Sequence, residues 1–350
     1  MLASRTGTIL RSIVEQYIVR ATPVSSQSII NDYELGVSAA TIRNEMAHLE
    51  QESYITRPHP SAGGIPSDKG YRYYVETLGD IQLPLAEQRL VNHLFHQVEK
   101  ELEEWLNLAA RLIAQLVHDV AIVTMPKSVA CQFKYLELVA LQDSLALLVL
   151  ILRSTKAKQQ LITFTQVISQ SELTTIANKL NTTYSGLTSS QIIAEGTRLF
   201  PTEQQITDCL SGIMKAEDKQ EYEEPYLDGL RLMLNQPEFT HSYRMLSLLE
   251  LVEHGNLLRN IIPPGLTNHG VQVIIGKENK AEVIHDYSVV ISQYGLPEKA
   301  IGTIGVIGPT RMPYARAIST VDHLSSVLSR LVSKLYGKET PTTPTLDNTD

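Results

Sequence analysis

Long apolar runs, cysteines and any excess of positive charge are scarce in this 350-residue chain. Its two cysteines, Cys131 and Cys209, lie far apart and form no CxxC or Cys/His cluster, which leaves a structural zinc site unsupported. They read as buried thiols of a reducing cytoplasm. The most apolar stretch, Leu145 to Leu152, is too short to cross a bilayer as a helix and suits a buried strand. The first residues pass directly into an amphipathic helical pattern with no apolar signal core, so the expected location is the cytoplasm, away from any membrane. Lys and Arg total 30 against 38 Asp and Glu, a formal net charge of -8, which argues against bulk attraction to nucleic acid or anionic lipid. A nucleic-acid partner would need a local positive face. Catalytic signals are missing as well. No serine or cysteine occupies a nucleophile motif, and the 10 histidines show no HExxH spacing. His93 and His96, at i and i+3, read as a wet surface pair. Gly302, Gly305 and Gly308 recur every third residue, which matches neither a P-loop nor a dinucleotide fingerprint. No catalytic residue, metal ligand or cofactor is expected, and the chain does not read as an enzyme.

An apolar fraction of 43% and a charged fraction of 19% are ordinary for a soluble globular protein long enough for two or three domains. Residues 5–20 set Ile9, Leu10, Ile13, Val14, Tyr17 and Ile18 on one helical stripe. Pro23 breaks it, and Ser25 caps a short second helix bearing Ile29, Ile30 and Tyr33. Gly36 turns the chain. Ser38 then caps a third helix, Ala39 to about Glu52, with Ile42, Met46 and Leu49 on one face. Tyr54 and Ile55 follow as a short strand, then a Pro/His/Gly loop from Arg57 to Pro66 and a return stretch around Tyr71, Tyr73 and Val75. Three helices and a hairpin with a flexible tip are the order of a winged helix.

From Pro84 to Val120 a long helical pattern runs through Leu90, Leu94, Val98, Leu102 and Leu106, long enough to lean on another domain or subunit. Beyond Val129 the texture changes. Tyr135–Ala140 and Leu145–Leu152 flank Gln142-Asp143-Ser144 as a hairpin, Gln160–Val167 is a third strand and Glu172–Thr183 a helix. Residues 202–260 look helical; strands return at Val271–Ile275, Val283–Ile291 and Ile301–Ile307, and a helix spans Tyr314 to about Tyr336. Strands interrupted by a helical block suggest an α+β fold holding an insertion. The divisions expected are 1–80, a winged-helix domain; 84–120, a linker or dimerisation helix; 121–200 with 265–337, an α/β domain; 201–264, a helical insertion; and 338–350, a tail too poor in apolar residues to pack.

The third helix carries the most chemistry. With Ile42, Met46 and Leu49 inward, Ala40, Thr41, Asn44, Ala47 and His48 face out, with Arg43 at the flank. Small residues allow close approach to a major groove; Asn44 can read adenine bidentately, Arg43 can reach guanine or phosphate, and Thr41 and Ser38 can bond phosphates. The pattern alone equally fits a solvated face of another small helical domain. In the loop, Arg57 and His59, followed by Lys69, Tyr71 and Arg72, fit a wing touching phosphates or a minor groove, and fit an ordinary surface loop too.

Two long motifs sharpen this. Pro23-Val24-Ser25-Ser26, Ser38-Ala39-Ala40-Thr41-Ile42-Arg43-Asn44-Glu45-Met46-Ala47, Pro58-His59-Pro60-Ser61-Ala62-Gly63 and Asp68-Lys69-Gly70-Tyr71-Arg72-Tyr73-Tyr74-Val75 resemble the HrcA family. So does Gly305-Val306-Ile307-Gly308-Pro309-Thr310-Arg311-Met312 with Tyr314. The resemblance implies a winged helix-turn-helix, a GAF-like α/β domain and a helical dimerising insertion. It implies a homodimer that binds double-stranded DNA at the inverted repeat called CIRCE, represses chaperone operons until heat stress, and needs a GroEL-type chaperonin to reach its active form. Two departures stand out: Gly64 replaces an arginine of the family's wing, and Ser53 replaces a glycine that ends the recognition helix. The rival reading is a ligand-sensing GAF-type regulator of another operon, with strands such as Leu145–Leu152 lining a pocket rather than filling a core.

Overall fold

The computed structural model describes residues 2–32, 37–59, 62–98, 101–127, 131–153, 157–195, 199–219, 224–240, 261, 270–296 and 300–336. The expected tail, the loop tip at Pro60 and Ser61, and most of the C-terminal half of the expected insertion lie outside the described residues. Helices and antiparallel strands mix in an α+β chain that divides into two compact units. The first comprises Met1–Pro126, Glu224–Leu296 and Gly302–Asp350; the second comprises Lys127–Glu223 and Pro297–Ile301.

The first unit opens with α1 (Ser4–Arg20), α2 (Ser26–Asp32) and α3 (Ala39–Gln51). A short antiparallel pair follows, β1 (Ile55–Thr56) and β2 (Ile65–Pro66), with Ile55 opposite Pro66 and Val24 bridged to Gly64 beside it. Then come α4 (Asp68–Glu76), α5 (Leu85–Gln97), α6 (Leu102–Val117) and β3 (Val120–Val123). In the second unit, β4 (Phe133–Gln142), β5 (Leu145–Leu152) and β6 (Ala157–Thr163) form an antiparallel meander, followed by α7 (Gln170–Tyr184), α8 (Ser189–Ala194) and α9 (Pro201–Lys219). The first unit resumes with β7 (Tyr226–Asp228), α10 (Leu230–Leu234), β8 (Gln272–Ile275), β9 (Tyr287–Leu296), β10 (Ala300–Pro309) and α11 (Tyr314–Tyr336).

Its five-stranded sheet has the order β7-β3-β10-β9-β8. Strand alternation splits the side chains between two faces. Ala121, Val123, Val290, Tyr294, Ile304 and Val306 join one core with α6 and α11. Val120, Ile122, Val289, Ile291 and Ile307 join a second with Met233, Phe239 and Tyr287. The first core continues without a break into α1–α4 through Ile9, Leu10, Ile13, Ile42, Leu49 and Tyr71. In the second unit, Leu136, Leu138, Leu148, Leu150 and Ile162 are buried under α7 and α9 with Leu173, Leu180, Ile206 and Leu210. Ser169 and Glu172 close a capping box that starts α7.

Several expectations change. The return stretch at Tyr71–Val75 is helix α4, not a strand: Ser67 caps it by accepting from the Gly70 N–H at 3.2 Å, Asp68 sits in its first turn, and Tyr71 and Tyr74, spaced by three, are buried. The helix expected over 84–120 is two helices, because Val98 and Glu101 are extended and Glu103 and Glu104 favour a new N-terminus at Leu102. Residues 226–228, expected to be helical, pair as β7 with β3. The unit that interrupts the first runs from 127 to 223 rather than from 201 to 264, since the meander β4–β6 shares its core with α7–α9. Cys131 is buried, its thiol pushed up to about 12 by burial, while Cys209 is half-buried; both are free. Among the described residues no helix is long and apolar enough to cross a membrane.

One buried carboxylate makes the sheet pH-sensitive. Asp119, just before β3, is fully buried; its Oδ1 accepts from Gln236 Nε2 at 2.7 Å and its Oδ2 has no partner among the described residues. Burial pushes its pKa from 3.8 up to about 7. The unfolded chain therefore releases this proton first as pH rises. Stability falls between about pH 4 and pH 7 and levels off above. Urea unfolding across that window should show this decline, and Asp119→Asn should flatten it; an equally steep decline in the variant would place its origin elsewhere.

Candidate nucleic-acid interface

Helix α3 is anchored on one side and open on the other. Ser38 caps it: its Oγ accepts from the Thr41 N–H at 3.2 Å and meets Thr41 Oγ1 at 3.0 Å. Ile42, Met46 and Leu49, at i, i+4 and i+7, are buried and pack the helix on α1. Arg43, Asn44 and His48 are exposed on the far side beside exposed Ala40, with Thr41 half-buried. Arg43 Nε lies 3.4 Å from Ser26 Oγ, so α2 steadies the stem of the guanidinium. Five of the ten candidates, Ser38, Thr41, Arg43, Asn44 and His48, thus belong to one short helical segment.

The acids of α3 are neutralised where they stand. Glu45 accepts from Thr6 Oγ1 at 2.7 Å and from Arg5 Nε at 3.0 Å, and these bonds, with Thr6 the larger cause, hold its carboxyl below the usual range. Glu50 takes Arg57, whose Nε donates at 2.8 Å. Hence the exposed side keeps its donors without a bare carboxylate from Glu45 or Glu50. Arg5 was not anticipated: it lies 40 residues from its partner and no local pattern announces the pairing.

The other candidates divide. Arg57 is half-buried against Glu50, and His59 is exposed in the β1–β2 loop. Lys69 remains exposed, yet its Nζ donates to the Glu52 carbonyl at 2.7 Å and lies 4.1 Å from the Tyr54 ring centroid. Tyr71 is 2% exposed and belongs to the core, so its placement on the contact face is corrected. Arg72 is turned to Glu278 and the Val273 carbonyl rather than outward with Lys69. The rival pocket also fares differently from its expectation: alternate residues of β5, from Ala146 to Leu152, fill the core. An open groove of about 350 Å³ in the second unit is lined instead by Ile168, Glu172, Thr175, Phe200 and Glu203. Among the described residues no group of three or more His, Cys, Asp or Glu could hold a metal ion.

Comparison with known proteins identifies the family. The model of the HrcA protein C terminal domain matches residues 103–318. Relatives from Dehalococcoides mccartyi, named heat-inducible transcription repressor HrcA, are 54% identical over 97% of this chain and 98% of their own. This chain belongs to the HrcA family. A relative of the same name from Herpetosiphon aurantiacus is 39% identical, over 96% of this chain and 97% of its own. A crystal structure described as that of a hypothetical protein aligns with a TM-score of 0.61 at 22% identity, covering 95% of this chain and 99% of that one; it shows the fold alone.

The two positions that the resemblance reads as departures, Gly64 and Ser53, have a physical setting. Gly63 must stay small, because a Cβ there would lie 2.5 Å from the Val24 backbone. Gly64 pairs with Val24 through N–H···O bonds of 2.9 and 2.8 Å; a Cβ there would first meet the side-chain ends of Ile55 and Met46, at 3.0 and 3.2 Å. Ser53 ends α3 with φ at +61°. The Tyr54 N–H reaches the Leu49 carbonyl at 2.8 Å and the Ser53 N–H reaches Glu50 at 2.9 Å, a Schellman closure whose left-handed residue is normally glycine. Ser53→Gly should relieve that strain and raise stability by about 1 kcal/mol, read as a higher urea midpoint at unchanged slope; a lower midpoint would show that serine is at ease there.

Proposed function

We propose that this protein is a homodimeric transcription repressor of heat-shock (chaperone) operons. In this reading, residues 1–80 form a winged helix whose α3 enters the major groove of one half of an inverted repeat of the CIRCE type. The observation that carries it is the α3 face, where Arg43, Asn44 and His48 project from a helix fixed on its other side, in a chain of the heat-inducible HrcA repressor family. Asn44 would read a base, Arg43 a base or phosphate, and Ser38 and Thr41 the backbone near the helix N-terminus. Arg57, His59 and Lys69 would serve as wing contacts, Arg57 after leaving Glu50. Two-fold symmetry in the protein would match that of the site.

The five-stranded sheet with α6 and α11 is the part assigned here to the GAF-like domain. The second unit is the one assigned to dimerisation, on a specific ground: the outer face of β4–β6 exposes Tyr135 by 43%, Val139 by 39% and Leu161 by 57%, a cluster that water would not favour. A GroEL-type chaperonin would restore the folded fraction that heat removes.

The test is a fluorescence-anisotropy titration on a CIRCE-type duplex and a scrambled duplex at two salt concentrations. Selective binding with a steep salt dependence is expected, and Asn44→Ala should cost about 1–3 kcal/mol on the palindrome alone. Equal binding to both duplexes, with chaperonin present, would refute the operator. Leu161→Glu should convert a dimer to a monomer in sedimentation velocity; a persistent dimer would move the interface off β4–β6.

A further inference from the structure

The C-terminal signature around Arg311 and Tyr314 has no part in the proposed contact with DNA, yet it touches the elements that carry α3. Arg311 donates through Nη1 to the carbonyl of Ile18, in the last turn of α1. Its other side forks onto Glu238, with Nε to Oε1 at 2.6 Å and Nη2 to Oε2 at 3.2 Å, and the two side chains are only 13% and 18% exposed. Burial alone would lower the guanidinium's pKa, but Glu238 outweighs it and holds the charge. Tyr314 lies under Tyr71 of α4, ring centroids 5.6 Å apart, and its hydroxyl is fixed by Ser288 Oγ at 2.8 Å and the Thr310 carbonyl at 2.7 Å.

A third tie sits farther along α4. Arg72 forks onto Glu278, its Nε 2.8 Å from Oε1, and donates to the Val273 carbonyl of β8 at 2.7 Å. Asp68 accepts the Lys277 N–H at 3.0 Å. The turn that offers this N–H needs glycine: Gly276 has φ at +51°, and a Cβ there would lie 2.4 Å from the Asp68 carboxylate. α1 and α4 pack on each other, and α3 packs on α1, so the helix that carries α3 is held from the sheet side.

We infer that Arg311, Tyr314 and the Arg72–Glu278 pair are positioning residues that mount α1–α4 on the five-stranded sheet and so fix the direction in which α3 points. The physical ground is directional. Half-buried ion pairs contribute little net stability once desolvation is counted, but a guanidinium fork on a carboxylate tolerates one orientation. A protein that reads two half-sites needs that orientation, since their separation along the duplex is set to within a fraction of a helical turn. The inference rests on the operator reading above. It assigns Arg72 to this seat instead of to phosphate.

The test is a charge swap, with Arg72→Glu, Glu278→Arg and the double variant in the full chain. Two quantities are read: affinity for inverted repeats of preferred spacing and of spacing lengthened by about five base pairs, half a turn, and amide hydrogen exchange at Lys277. Each single variant should reduce the preference between the two spacings by about tenfold and speed exchange at Lys277, and the double variant should restore both. Arg311→Lys, which keeps the charge but loses the fork, should also weaken the spacing preference. A double variant as impaired as the singles overturns the seat, as does a spacing preference untouched in all of them. Asn44→Ala separates the two ideas, since it should weaken operator binding by about 1–3 kcal/mol while Lys277 stays protected. If wild type fails to distinguish operator from scrambled duplex, the operator reading falls and the exchange arm alone decides the seat: rescue in the double variant supports it, and no rescue overturns it.

Discussion

The apolar core shared by the N-terminal helices and the sheet is the constraint on which the rest of the first unit depends. Ile9, Leu10 and Ile13 of α1 belong to the same buried cluster as Ile304 and Val306 of β10 and Leu324 and Leu328 of α11. A helical domain attached by a flexible tether would possess its own closed core. Here the helices and the sheet exclude water together, so the exposed face of α3 inherits its direction from residues almost the whole chain away. Burial supplies the attraction, and it is non-directional; the polar ties at Arg311, Arg72 and Asp68 supply the angle.

Charge is handled by the same economy of place. The chain carries a formal charge of -8, which a nucleic-acid partner would feel at long range as repulsion. At short range the balance is different. Glu45 and Glu50 are spent on Arg5 and Arg57, and a helix N-terminus capped by Ser38 presents its free N–H groups beside Thr41. Net charge is a poor guide to a local face, because the Debye length of about 8 Å at physiological salt confines what matters there to the nearest side chains.

Much of this was legible in the residues. The period of Ile42, Met46 and Leu49 announced which side of α3 is buried, Ser38 announced its start, and the bounds of α11 follow from its apolar stripe. What failed to show had physical causes. Tyr71, Tyr73 and Val75 alternate like a strand, and only the Ser67 cap and the buried Tyr71/Tyr74 spacing reveal α4. β7 is three residues long and acquires strand geometry from its partner β3, more than a hundred positions earlier, so no local signal exists for it. The limits of the second unit were hidden for a similar reason, since strand periodicity looks the same on either side of a domain boundary. For the site, the α3 residues were visible, whereas the burial of Tyr71 and the capture of Arg72 by Glu278 are set by packing that sequence spacing does not encode.

The strand order β7-β3-β10-β9-β8 has a kinetic side. β3 is made early in synthesis, yet one of its neighbours, β7, follows a whole intervening unit, and the other, β10, is completed only at Pro309. Until then α6 holds out Trp105, Leu106, Ile113 and Val117 with no sheet completed behind them and no α11 beside them. Loop closure of that length is slow, and the half-made domain is sticky throughout. The time between translating β3 and seating α11 is therefore a window of aggregation risk, widened by anything that delays the last fifty or so residues.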